Sequence, residues 1–402
     1  MNVDVEVHFL DELLITSRDG DWGSEFPAQG LVPYRVIRGA DFPSARIGKI
    51  AEVPLRYLPD HSVGRRTLEP GDIVIETAGG TKDRPTGRSL YITKRLLASL
   101  DNPATCASFA RFLRIDPRKA NRRFIYWYLQ HLHQSGEMWQ HQVQHTGVAR
   151  FQYTHFARTH RIVLPSRQQQ QAVSEVLGAF DDRIMANFSI SSSCHALAQA
   201  CLAGVRDDFS MRPLSELSVI TMGSSPPGET YNEKGSGLPF YQGARDFGER
   251  FPRHRVWCTE PVRAAQESSI LISVRAPVGR VNVARELCCI GRGVASLESR
   301  VSTPSVLFHE LAAASEIWKP YESEGTVFGA INKGQMETLC IPSLDQVSAR
   351  KLEEILSPLD QRVAAAFNEN NVLTDLRDAL LSALMSGEMQ VREAERIVED
   401  AT

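Results

Sequence analysis

Two stretches of the chain space their apolar residues for a long helix. Val173, Leu177, Phe180 and Ile184 follow one another at gaps of 4, 3 and 4. Leu352, Leu356, Leu359, Val363 and Phe367 do the same, and the pattern continues through Leu373, Leu380 and Leu384. Gaps of three and four lay one apolar stripe along a helix face, at the spacing of a coiled-coil seam. Ahead of each stretch runs a longer segment punctuated by Gly and Pro, with short apolar runs that predict strands and turns. Two of these runs stop alike: GLPFYQGARDF (Gly237–Phe247) ends at a glycine followed by charge, and so does RVIRGADF (Arg35–Phe42).

The likeness has a register. Arg38-Gly39 falls on Gln242-Gly243 at a separation of 242 − 38 = 204, which also carries Leu10-Asp11-Glu12-Leu13 onto Leu214-Ser215-Glu216-Leu217. Further on, Ile73 and Ile75 match Ile270 and Ile272, Gly147–Phe151 matches Gly325–Gly329, and Asp181-Asp182-Arg183 matches Asp360-Gln361-Arg362. Repeats at one offset mean a duplicated unit. The offset shrinks along the chain, which predicts an insertion in the first copy between Tyr91 and Gly147.

A continuous helix from Pro165 to Leu202 would be about 55 Å long, longer than a small core can cover. Its stripe therefore needs an elongated partner, and the other copy supplies one. Ser189–Ser193 and Asn368–Asn371 are poor mid-helix sequences and leave open a break into two hairpins. The predicted fold class is α+β: two α/β domains in pseudo-two-fold repeat, separated by an antiparallel coiled coil of two long helices. The divisions are a first globe at 1–163, a first helix region at 164–208, a second globe at 209–340, a second helix region at 341–390 and a tail at 391–402.

Composition narrows the class. At 402 residues the chain has room for two cores. No apolar run reaches the roughly 18 residues of a membrane span. The start MNVDVEVHFLDELL has acids where an export signal needs positive charge, so a cytoplasmic location is expected. Seven cysteines without a C-x-x-C pair fit neither a disulfide framework nor a zinc ribbon. The formal charge of −3 hides an uneven distribution. Residues 1–160 hold 21 Lys/Arg against 17 Asp/Glu, 241–300 hold 10 against 6, and 341–402 hold 6 against 12.

Enzyme signatures are missing. Gly48-Lys49 lacks the other residues of a phosphate-binding loop, and no dinucleotide fingerprint, nucleophile elbow or H-E-x-x-H is present. Asn102-Pro103-Ala104 is not the Asn/Asp-Pro-Pro-aromatic loop of an amino-methyltransferase. His131, His133, His141 and His145 lie close in sequence, and the last two have metal-ligand spacing on a helix. Without a Cys or carboxylate at suitable spacing, a histidine-bearing surface helix is the preferred reading.

The basic positions carry more. Tyr241, Gln242, Arg245, Arg250, Arg253 and Arg255 lie just past a strand end, Arg275 and Arg280 flank a turn, and Arg38, Thr77, Lys82, Arg84 and Arg88 hold matching places in the first copy. Gln and Arg make paired contacts to base edges, and Arg, Lys and Thr also grip phosphates. Arg114, Arg118, Lys119, Arg122 and Arg123 are spaced for one basic helical face, suited equally to phosphate contact or to solvent. From these residues alone a DNA-binding module, a fused DNA-modifying enzyme and a protein scaffold all remain open.

TMGSSPPGETYNEKGSGLPFYQGARDFGERF, SVRAPVGRVNVARELCCIGRGVA, GTVFGAINKGQMETLCIPSL and the helices VSEVLGAFDDRI and LRDALLSALMSGEM resemble the specificity subunit of type I restriction-modification enzymes. The resemblance covers nearly the whole chain. It implies a non-catalytic subunit whose two globes are target recognition domains, each reading half of a bipartite double-stranded DNA sequence, with the helices setting the spacer. It implies two methyltransferase partners, with translocating restriction subunits as optional further ones. No cofactor is expected in this chain and no metal; S-adenosylmethionine belongs to the methyltransferase subunits. With the positions read above, the DNA-binding residues expected are Arg38, Thr77, Lys82, Arg84, Arg88, Tyr241, Gln242, Arg245, Arg275, Arg280 and Lys333, and the docking residues Phe180, Ile184, Leu359, Val363 and Leu380. The sequence departs from the family at Ser268-Ser269, where Gly-Asp is usual and is kept as Gly71-Asp72, and at the QQQQAVSEV helix start.

Overall fold

A computed structural model of the chain describes residues 6–50, 52–80, 85–145, 148–324, 327–394 and 396. Its elements gather into two units, one formed by Met1–Ser189 with Ala366–Thr402 and the other by Ile190–Ala365. Each unit takes one globe and part of each long helix.

The central strands are apolar runs buried on both faces. Ile73-Val74-Ile75 in the first unit and Ile270-Leu271-Ile272 in the second are fully buried, and each strand ends on a polar residue, Glu76 or Ser273. Around them the same antiparallel sheet is built twice. In the first unit the order is Leu14–Asp19, Ala110–Ile115, Ile73–Glu76, Ser89–Tyr91; in the second it is Ser218–Met222, Val294–Ser299, Ile270–Ser273, Val281–Val283. A second sheet in each unit, of three strands in the first and five in the second, contains one parallel pair, with Ile37 opposite Cys106 and Tyr241 opposite Ile290. Since 241 − 37 = 204, the expected register is kept in three dimensions. Leu10 and Leu13, like Leu214 and Leu217, are buried beneath their sheets.

The longer segment of the first copy between Tyr91 and Gly147 holds the helix Lys94–Ala98 and a helix Arg122–Gln134 that exceeds its counterpart Pro304–Ala313. Asn121 caps the start of Arg122–Gln134, its Oδ1 accepting from the amides of Arg123 and Phe124. The proposed basic face of 114–123 does not form, because the segment is not one helix: Arg114 lies on a strand, Arg118 and Lys119 in a turn, and only Arg122 and Arg123 on a helix. Arg114 is bonded to Asp72 and Glu69, and Arg118 to Asp116. The histidines are likewise split: His131 and His133 are on that helix, His141 ends a 3₁₀ turn and His145 is on a strand. His141 meets Phe151, Phe156 and His160 edge-on, and burial lowers its pKa. Among the described residues no three His, Cys, Asp or Glu side chains are placed to hold a metal.

Both long helices are continuous, Arg167–Gly204 and Gln346–Ser386. Neither serines nor asparagines break them, because packing outweighs propensity. In the first unit the seam also uses an asparagine directly: Asn187 Nδ2 donates to Asn370 Oδ1 at 3.0 Å. The helices are antiparallel there, with Arg183 bonded to Glu369 and Asp181 to Arg377. In the second unit Ala198 and Leu202 pack with Ala349, Leu352 and Leu356. No helix among the described residues is long and apolar enough to cross a membrane.

A buried ion pair fastens each globe to its helical part, and it too is duplicated. Arg46 bonds Asp181 in the first unit and Arg250 bonds Asp360 in the second. The separations are 250 − 46 = 204 and 360 − 181 = 179, those of the repeat itself. Burial opposes the charge on Arg46, but nearby Tyr126 and Asp181 more than offset it and its pKa is raised.

Candidate nucleic-acid interface

In the second unit, the strand Leu238–Tyr241 leaves its sheet at Gln242. The turn that follows is held by Asp246, a buried carboxylate that accepts from the Gln242 amide at 2.6 Å and from Arg255 at 2.9 Å. Arg255 satisfies that acid, which leaves the side chains of Gln242 and Arg245 exposed. Against this turn lies Gly291-Arg292-Gly293. A Cβ at Gly293 would stand 2.2 Å from the Gln242 carbonyl oxygen, so only glycine permits this approach. The Gly291 amide donates to the Tyr241 carbonyl and the Val274 amide to the Gly293 carbonyl. Arg275 is bridged to Ala330, three residues before Lys333, and Arg292 Nε donates to Ser225 Oγ at 3.2 Å. Gln242, Arg275 and Arg292 thus stand on adjoining turns past strands of the unit's two sheets, and Lys333 opens the helix Lys333–Thr338 just beyond Ala330.

The first unit repeats this frame with different charges. The Ala107 amide donates to the Ile37 carbonyl and the Thr77 amide to the Phe109 carbonyl, so Ser108-Phe109 occupies the place of Arg292-Gly293. Asp41 accepts from the Arg38 amide at 2.8 Å as Asp246 does from Gln242. Here the neutralising arginine is Arg38 itself, at 2.7 Å from Asp41, and the bond to Asp41 raises its pKa despite burial. Arg88 donates two bonds to buried Glu76, at 2.9 and 2.8 Å. Thr77 is half-buried and its carbonyl accepts from the Phe151 amide. Lys82 and Arg84 lie outside the described residues.

Several of these positions have partners within the chain. Tyr241 is a core residue, packed with Phe247, Leu271 and Ile290, and burial raises its phenol pKa. Arg250 and Arg255 are held by Asp360 and Asp246. Among the described residues Arg245, Arg253, Arg275, Arg280 and Arg292 make no ion pair, and Lys333 has only an exposed contact with Glu337 at 3.5 Å. Sequence reasoning missed Arg292 and Phe109. The glycines on either side of Arg292 were the available signal, whereas Phe109, 64% exposed, has none in its neighbours.

The expected docking residues lie in the packing between the long helices and the globes. Phe180, Ile184 and Leu380 are core positions of the first unit, Val363 is buried in the second and Leu359 packs on its helical cluster. The outward apolar residues of the long helices are Leu197, Val347, Ile355 and Val372.

No family model matches the chain. A curated protein of Methanocaldococcus jannaschii, "Putative type I restriction enzyme MjaX specificity subunit", is 32% identical over 176 residues, 43% of this chain and 41% of that protein. The chain thus matches about two fifths of that relative's length. Among solved structures, the S subunit of a type I restriction-modification system from M. genitalium superposes with a TM-score of 0.61 at 16% identity, over 95% of this chain and 96% of that one. The HsdS subunit from Thermoanaerobacter tengcongensis is 24% identical over 96% and 97%, with a TM-score of 0.35.

Proposed function

We propose that this chain, similar in sequence and in fold to type I restriction-enzyme specificity subunits, is the non-catalytic DNA-reading subunit of such a system. The globes at 1–163 and 209–340 each read half of a bipartite duplex target. The helices at 164–208 and 341–390 set the gap and carry two methyltransferase subunits, which bring S-adenosylmethionine, on faces that include Val347, Ile355 and Val372. The observation that carries the reading is the sheet end built twice, in which Gln242, Arg245, Arg275 and Arg292 project beside glycines that admit a close-packed backbone. Such side chains suit base edges and phosphates.

The test is selection of bound duplexes from a random pool with wild type and with Gln242→Ala and Arg245→Ala. The expected outcome is two half-sites for wild type, with discrimination lost at one and kept at the other in each variant. Equal weakening at both half-sites would reduce these residues to a structural role. Binding that lacks salt dependence would leave a protein scaffold instead.

A further inference from the structure

Arg88 and Arg280 occupy the same place in the two copies. In the first unit the Glu76 amide donates to the Arg88 carbonyl and the Gly87 amide to the Glu76 carbonyl; in the second the Ser273 amide donates to the Arg280 carbonyl and the Gly279 amide to the Ser273 carbonyl. Glu76 and Ser273 are therefore one position, each the last residue of the central strand. Their chemistry differs. Glu76 takes the Arg88 guanidinium in a two-pronged bond, both partners sheltered, at 5% and 20% exposure. Ser273 has no charge to offer and instead accepts from the Arg280 amide at 2.9 Å. The Arg280 guanidinium is exposed, has no ion pair among the described residues, and reaches only the Gly248 carbonyl at 3.5 Å.

The neighbouring turn agrees. Gly39 lies over the Glu76 carboxylate, and a Cβ there would come within 2.4 Å of Glu76 Oε1. Its equivalent Gly243 would meet nothing within 4 Å, so the space under the second turn is open where Glu76 fills the first.

We propose that the residue at this strand end, Glu76 in one copy and Ser273 in the other, decides whether the following arginine can grip a DNA phosphate. The second unit uses Arg280 as a phosphate clamp, while Glu76 withholds Arg88 in the first. The inference rests on the DNA-reading function proposed above. It concerns a sequence-independent contact, so a mixed-sequence duplex suffices as probe.

The experiment measures affinity of the full chain between about 50 and 200 mM salt. One phosphate contact adds about 0.9 to the log–log slope, so over that fourfold range it changes the loss of affinity by about 3.5-fold. Arg280→Ala and Ser273→Glu should each shrink the loss by that factor. Glu76→Ser should enlarge it by the same factor, and Glu76→Gln, which keeps the volume, should move it in the same direction if the serine variant fails to fold. Unchanged slopes in Arg280→Ala, or in a folded Glu76 variant, with wild type still binding in a salt-dependent way, overturn this inference alone. Failure of wild type to bind the duplex overturns the DNA-reading function and this inference with it.

Discussion

The buried pair between Arg250 and Asp360 gives the most demanding test of how the second globe is fixed to its helical part. Asp360 Oδ1 takes Arg250 Nη2 at 2.6 Å and His309 Nε2 at 3.1 Å. The two charged side chains are 13% and 15% exposed, and His309 is fully buried. The guanidinium also stacks 4.1 Å from the centre of the Phe308 ring. Asp360→Ala leaves that arginine buried without its counter-ion, a loss of about 3–5 kcal/mol. Most of this is the cost of a stranded charge, so Arg250→Met with Asp360→Leu should recover the greater part. Urea titration combined with amide exchange at the helix Pro304–Ala313 reads the unit locally, which matters because a two-unit chain need not unfold in one step. The pH dependence has a definite sign. Burial disfavours the Asp360 carboxylate, but the His309 bond and the Arg250 charge prevail and hold its pKa below the ordinary 3.8. Its contribution is therefore present at neutral pH and is lost as pH falls through that lowered value. A loss under about 1 kcal/mol in Asp360→Ala, or a double variant as damaged as the single one, would refute the reasoning.

Glu310, buried with bonds from Ser343 and the Leu344 amide, has its pKa pushed up by burial to about 7 from 4.5. The folded state therefore binds the extra proton, stability should fall by about 3 kcal/mol as pH rises from 4.5 to 7, and Glu310→Gln should flatten that profile in urea titrations. Asn187→Leu alone strands Asn370, which is 8% exposed, and should cost about 1–3 kcal/mol in thermal or urea unfolding; adding Asn370→Leu should restore stability while relaxing the helix register. Ser268 adopts the left-handed turn of its counterpart Gly71, with φ of 67° against 93°, so Ser268→Gly should stabilise the second unit by about 1 kcal/mol in the same assay.

What the sequence disclosed and what it concealed have one physical cause. Burial and turn geometry are written locally, in the alternation around Ile73 and Ile270, the heptad gaps at Val173–Ile184, and glycines such as Gly39, whose close contacts leave no room for a Cβ. Hence the repeat and its register were legible from two short matches. Even a departure such as Ser268 for Gly left the turn unchanged. The state of a charge is not local. Arg38 and Arg88 look as available as Arg245 and Arg280 until the fold brings Asp41 and Glu76 against them. Their acids lie 3 and 12 residues away along the chain, and the second copy has Ser273 in place of the more distant one, Glu76. The helix seam behaves alike: Phe180 and Leu380 carry the periodicity of an exposed docking stripe, yet each copy's stripe is consumed by the other. A duplicated fold therefore passes on its frame more faithfully than its charges, and one residue at a strand end, Glu76 or Ser273, decides whether the following arginine is paired.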